Sequence, residues 1–307
     1  MTIPVILDCD TGTDDAVAIM CAALHPGLDL LGVTTVWGNH DVRHTTDNTL
    51  RVLDHIGRGD IPVQAGRNAP FRRRVPPLPS GRDDLPSTLD LPEAVSTAGP
   101  APAVEWLVQT LRGAPEPVTL VPTGPLTNVA AAIEAAPDIV GPIARVVALA
   151  GTHREPGVRP LVERNVWCDP EAAAYVVRAG FRDLTFVGMD ATFGAPLDHD
   201  DAGRLAALGT RAGRTAGRLL ADRIEWYARD PAMARIRSAP LHDPLAVAHV
   251  VDPDIVRTTP AGCRVELTPG EEYGRTLYDF EADPSDLAVG LAADTEAFLR
   301  FLADALG

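Results

Sequence analysis

Short apolar, β-branched runs alternate along most of this chain with longer stretches whose apolar residues recur at helical spacing. The runs at 3–7, 31–36, 62–65, 118–122, 146–150 and 184–187 have the length and bulk of buried strands. Between them, 15–24, 45–56, 103–111, 126–135 and 171–178 read as amphipathic or alanine-rich helices. Further helices are expected at 200–208, 210–228, 244–250 and 295–306, and late strands at 257–259, 263–267 and 276–280. The alternation predicts an α/β fold, one domain over 1–307 with a mainly parallel central sheet flanked by helices. Residues 70–102 break the pattern with a Pro-rich stretch, expected as a loop over the site or a surface excursion, its Arg72-Arg73-Arg74 triplet solvated.

The first strand empties into Asp8-Cys9-Asp10-Thr11-Gly12-Thr13-Asp14-Asp15, four carboxylates within eight residues. Asp8 and Asp10 share one face of a strand, Gly12 suits the tight turn, and Asp14 and Asp15 open a helix at its positive dipole end. Neighbouring helical residues point about 100° apart, so one can face a metal while the other reaches a ligand. Helix capping accounts for one or two of these acids but not four. So many acids at one strand end repel one another unless a cation sits among them, and an oxygen-only donor set favours Ca²⁺ or Mg²⁺. In parallel sheets, ligands sit beyond the carboxyl ends of the strands, where this turn falls. The EF-hand pattern fails, because its fifth, sixth and twelfth positions counted from Asp8 hold Gly12, Thr13 and Ile19.

Composition narrows the chemistry further. The 307 residues are 46% hydrophobic, enough for a large core, and carry a net charge of −15 that opposes a nucleic-acid or anionic membrane partner. No apolar run reaches the roughly 18 residues of a membrane span, and no signal peptide is visible. Cys9, Cys21, Cys168 and Cys263 lack C-x-x-C spacing and read as reduced thiols of a cytoplasmic protein. Every basic residue is arginine. Schiff-base lysines and the Walker A loop are therefore excluded, and a D-x-D phosphatase reading of Asp8 and Asp10 lacks its usual lysine.

Three later segments each lie at a helix start: Thr123-Gly124-Pro125-Leu126-Thr127-Asn128, Glu163-Arg164-Asn165 running to Ala173, and His242-Asp243-Pro244. Together with the acidic turn and Trp37-Gly38-Asn39, they resemble the nucleoside hydrolases, the inosine–uridine-preferring ribohydrolase family, in order from the first strand to about Asp279. The resemblance implies that family's fold, related to the Rossmann type. It also implies Ca²⁺-dependent hydrolysis of ribonucleosides to free base and ribose for salvage, by a homo-oligomer (dimer or tetramer). Carried over by motif, Asp10, Asp15, Asp243 and the Thr123 carbonyl hold the ion. Asp10 is the base toward the metal-bound water, Asp14 receives the ribose 2′-hydroxyl, and Asn39, Glu163 and Asn165 line the remaining hydroxyls. His242 is the leaving-group acid, and Asp8 braces the turn.

The chain departs from the family pattern at Thr11, where a proline is usual, and at Leu149, where a methionine lies under the ribose. Gly157 stands in place of an asparagine for the 5′-hydroxyl, and Ser80-Gly81 in place of a His-Gly pair. Metal and 2′,3′-diol recognition are thus expected intact, with 5′-hydroxyl and base recognition changed. Two alternatives follow: turnover of a modified N-riboside, or a non-catalytic metal- and ribose-binding protein.

Overall fold

The computed structural model describes residues 2–72, 86–229, 237–283, 285 and 287–307. Its strands are β1 (Ile3–Cys9), β2 (Leu28–Thr35), β3 (Val63–Ala65), β4 (Val118–Pro122), β5 (Ile143–Ala148), β6 (Leu184–Phe186), β7 (Leu197–Asp198), β8 (Ser238–Ala239), β9 (Val256–Val265), β10 (Thr276–Asp279) and β11 (Leu287–Ala293). Its α-helices are α1 (Thr13–Leu24), α2 (Val42–His55), α3 (Ala103–Gly113), α4 (Thr127–Ala135), α5 (Arg164–Cys168), α6 (Pro170–Val177), α7 (Met189–Phe193), α8 (His199–Ala206), α9 (Arg211–Tyr227), α10 (His242–Val251) and α11 (Thr295–Leu306).

One nine-stranded sheet runs in the order β10-β9-β11-β6-β5-β4-β1-β2-β3, and β7 pairs with β8 beside it. The seven strands from β11 to β3 are parallel, whereas β9 and β10 are antiparallel additions at one edge. The chain leaves β1 toward β2 and β3, then returns to β4 on the other side. That reversal makes the crevice beyond β1 and β4 the topological switch point.

Helices cover both faces. One core cluster gathers α1, α2 and α8–α11, and the other gathers α3, α4 and α6. Every residue of α1 from Asp14 to Ala23 is buried, as expected of a helix apolar on nearly all sides. No helix of the described residues is long and apolar enough to cross a membrane.

The alternation read from the sequence matches this architecture, with differences that have physical causes. The expected strands 257–259 and 263–267 are one strand, β9. Pro260 sits inside it opposite Ala288, while β10 pairs only with Gly262–Val265, so the strand is locally an edge where a missing N–H costs nothing. β11 escaped the sequence pattern because Leu287-Ala-Val-Gly-Leu-Ala-Ala is mostly small residues. Within 70–102, the described part has neither helix nor strand. Residues 87–96 are strapped to α2 instead: Asn48 bonds Leu89 and Ser87, and Asp54 accepts Val95 and Ser96 N–H. Arg72 pairs with Glu134 at 2.9 Å and lies over the Phe71 and Tyr175 rings. Arg73, Arg74, Ser80 and Gly81 fall outside the described residues.

Asp169 ties these parts together. Its carboxylate caps α6 through Ala172 N–H and also accepts Phe71 N–H at 2.6 Å and Thr127 Oγ1 at 2.7 Å, with no exposure to solvent. Replacing Asp169 by Ala loses the cap and strands two buried donors. It is expected to cost about 2–4 kcal/mol, read as a lowered midpoint of denaturant unfolding.

Candidate active site

Parallel strands deliver their carboxyl ends to the crevice, and the turns after them carry the functional side chains. After β1, Gly12 leads into α1, and Asp15 in its first turn reaches back to accept Gly12 N–H at 2.9 Å. The other Asp15 oxygen accepts Thr123 Oγ1, from the turn after β4, at 2.9 Å. Asp10 Oδ2 accepts Asn39 N–H at 2.6 Å, from the turn after β2. That approach needs Gly38, where a Cβ would lie 2.2 Å from Asp10 Oδ2. Asp243 opens α10 and arrives from far along the chain.

Asp14, Asp15 and Asp243 each offer an oxygen within 4.8 Å of the others, and Asp10 lies close enough for its charge to act on Asp15 and Asp243. Burial, then the neighbouring carboxylates, push Asp15 up to about 7, and the same causes raise Asp10 and Asp243 well above the usual range. Asp243 Oδ1 is buried with no partner among the described residues. A buried cluster of hard oxygen donors with an orphaned carboxylate oxygen fits a divalent cation, and among the described residues the carboxylates that approach one another are Asp14, Asp15 and Asp243 rather than Asp10.

The neighbouring polar groups share one property. Asn39 spends its Nδ2 on Asp10 O at 3.2 Å, and Asn165 spends its Nδ2 on Thr123 O at 2.7 Å and Leu149 O at 3.0 Å. Each amide therefore keeps its Oδ1 as an acceptor. Glu163 caps α5 and is pinned by three backbone N–H groups, those of Asn165, Val166 and Gly151. Asp10, Asp14, Asn39, Thr123, Glu163, Asn165, His242 and Asp243 all line one cleft, an acceptor-rich floor suited to hydroxyl donors. Asp8 is not among them; it holds Thr34 Oγ1 at 2.7 Å and Asn128 Nδ2 at 2.8 Å.

His242 stands at the cleft with both ring nitrogens engaged. Nδ1 lies 2.7 Å from Thr192 Oγ1, which is also 3.2 Å from Met189 O. Nε2 bonds the Tyr227 hydroxyl at 3.0 Å. Burial and the Arg223 charge lower His242 to about 3.

Arg223, Trp226, Tyr227, Met189 and Arg164 also line the cleft, and sequence reasoning gave none of them a role. Arg223 was detectable: it occupies the core face of α9 in register with Ala216, Leu219 and Leu220, an odd place for an arginine. It pairs with Asp14 Oδ2 at 2.8 Å and donates to Pro240 O at 2.7 Å. Thr11 bonds Thr49 Oγ1 at 2.6 Å. Leu149 and Gly157 line the cleft, and a Cβ at 157 would lie 1.8 Å from Val162 O, so the loop backbone there excludes any side chain.

With this geometry in place, comparison with known proteins is specific. The profile of the inosine-uridine preferring nucleoside hydrolases matches residues 5–300. A pyrimidine-specific ribonucleoside hydrolase RihA of Shewanella sp. (strain ANA-3) is 34% identical over 316 residues, covering 100% of this chain and 96% of its own. The enzyme of the same name from Escherichia coli O1:K1 / APEC is 34% identical over 312 residues, covering 100% and 99%. The purine-preferring ribonucleoside hydrolase of Gardnerella vaginalis superposes with a TM-score of 0.87 at 28% identity, covering 99% of this chain and 98% of that one.

A divalent cation at one hundred times its Kd should stabilise the fold by about 2.7 kcal/mol, read as a rise in Tm. Asp243→Asn should raise the Tm of the metal-free protein, by relieving repulsion, and remove that response. A variant that keeps the full metal-induced rise would show that Asp243 is not a ligand.

Proposed function

The chain belongs to the inosine-uridine preferring nucleoside hydrolases, and from that membership we propose that it cleaves ribonucleosides, pyrimidine ribosides first, in a Ca²⁺-dependent reaction through Asp10. It is a hydrolase of N-glycosyl bonds; the ion, the base preference and the residue roles are this reading. The pyrimidine preference is supported by the 34% identical relatives of that name. The observation that carries the rest is the buried group of carboxylates at the switch point, one of whose oxygens has no partner among the described residues.

Asp10, Asp15, Asp243 and the Thr123 carbonyl would hold the ion. When bound, it lowers the pKa of a water and fixes the ribose 2′,3′-diol. Asp10, steadied by Asn39 N–H, takes the proton of the attacking water. Arg223 claims one oxygen of Asp14, which supports reading Asp14 as the sugar-side carboxylate that accepts the 2′-hydroxyl rather than as a ligand. The acceptor oxygens of Asn39 and Asn165, with Glu163 behind them, receive the other hydroxyls. These negative and dipolar oxygens also favour an oxocarbenium-like sugar over its neutral ground state.

The departing base needs a proton. Tyr227 lines the cleft and its hydroxyl bonds His242 Nε2, so the pair supports a relay in which Tyr227 gives its O–H proton to the departing base and the phenolate, held by the imidazole, recovers a proton from solvent after release. His242, with both nitrogens engaged, would act through Tyr227 rather than on the base directly.

A nucleoside panel scored by reducing-sugar release tests the reading. Uridine and cytidine should turn over with Ca²⁺, stop on chelation and resume on add-back, while Asp10→Asn removes nearly all activity at unchanged fold. Tight nucleoside binding without base release would instead select a non-catalytic binding protein. For the relay, His242→Ala and Tyr227→Phe should each slow uridine by about 10²–10⁴-fold and a nitrophenyl riboside far less. Equal losses on both substrates would remove the leaving-group role.

A further inference from the structure

The cleft contains two guanidinium groups, and among the described residues only Arg223 has hydrogen-bond partners. Arg223 is spent on Asp14, Pro240 O and Thr13 Oγ1. Arg164 opens α5 between Glu163 and Asn165 and lines the same cleft. Among the described residues its Nε is buried without an acceptor, and it acts on Asp10 and Glu163 through its charge alone, with no hydrogen bond to either. Beside it the wall is bare backbone: a Cβ on Gly157 would lie 3.1 Å from Glu163 N.

A fixed positive charge is a poor neighbour for a reaction whose sugar becomes positive, because it opposes the developing charge. Neither a neutral pyrimidine nor a ribose hydroxyl calls for a full cation. A guanidinium with unspent donors, in a cleft whose other cation is already paired with Asp14, is matched by a substrate that brings its own anion.

The geometry points to Arg164 as the recognition group for ribonucleosides carrying an added anionic substituent, either a carboxylate on the base or a phosphate at the sugar 5′ position. This inference rests on the ribonucleoside hydrolase reading above and narrows its substrate class. The guanidinium fork would bind the two oxygens of that substituent at the wall of the cleft.

The test compares kcat/KM for uridine, orotidine (its 6-carboxylate) and uridine 5′-monophosphate, using the full chain with Ca²⁺. One anionic probe should exceed uridine by about tenfold or more, the scale of a hydrogen bond to a charged group, and which probe gains identifies where the anion sits. Arg164→Met should shrink the anionic-to-neutral ratio by a similar factor. Arg164→Lys, which keeps the charge without the fork, should leave it intermediate, and it reads the same ratio if the methionine variant misfolds. Uridine equal to or better than both anionic probes, or a preference that survives Arg164→Met, overturns the assignment and leaves the proposed function standing. Base release from none of the three ends both.

Discussion

Repulsion among buried carboxylates is the constraint from which this site is built. Asp10, Asp15 and Asp243 are each at most 2% exposed, and burial and their neighbours disfavour their charged forms. Such a group is stable only with protons or a cation, and the fold leaves little room for half measures. Asp15 is held by Gly12 N–H and Thr123 Oγ1, and Asp10 by Asn39 N–H, so neither can swing out to water without breaking those bonds. The rigidity that makes the cluster costly when empty preorganises it for an ion.

The sheet supplies that rigidity. β1 sits between β2 and β4 with its end at the switch point, and α1 behind the acidic turn is buried as far as Ala23. Backbone and side-chain donors from three different turns converge on the acids. Thr123 and Asn165 are locked to one another by the 2.7 Å bond from the amide to the carbonyl, so the turn after β4 and the start of α5 move as one unit.

Around the acids the cleft divides by chemistry. Its floor is made of acceptors, the amide oxygens of Asn39 and Asn165 among them, and suits a polyol that turns partly positive. One wall carries Tyr227 and His242, the imidazole held at Nδ1 by Thr192 and at Nε2 by Tyr227. Polarity in the cleft is thus set by which groups have already spent their donors, a property of the whole hydrogen-bond network.

The acidic turn, the strand–helix alternation and the order of the motif blocks were legible in the sequence because each depends on neighbours a few residues apart. Backbone periodicity is local, and four aspartates within eight residues repel wherever the chain goes. That Asp243 completes a cluster begun at Asp10 could be reached by resemblance, but its distance from Asp15 could not be read from spacing. Tertiary structure alone decided that Arg223, on a helix more than two hundred residues away, pairs with Asp14, while Arg164 lines the cleft with its Nε unbonded among the described residues. It also joined two predicted strands through Pro260 and found β11 in a run of small residues. Those outcomes follow from through-space packing and charge compensation, which no sequence period records.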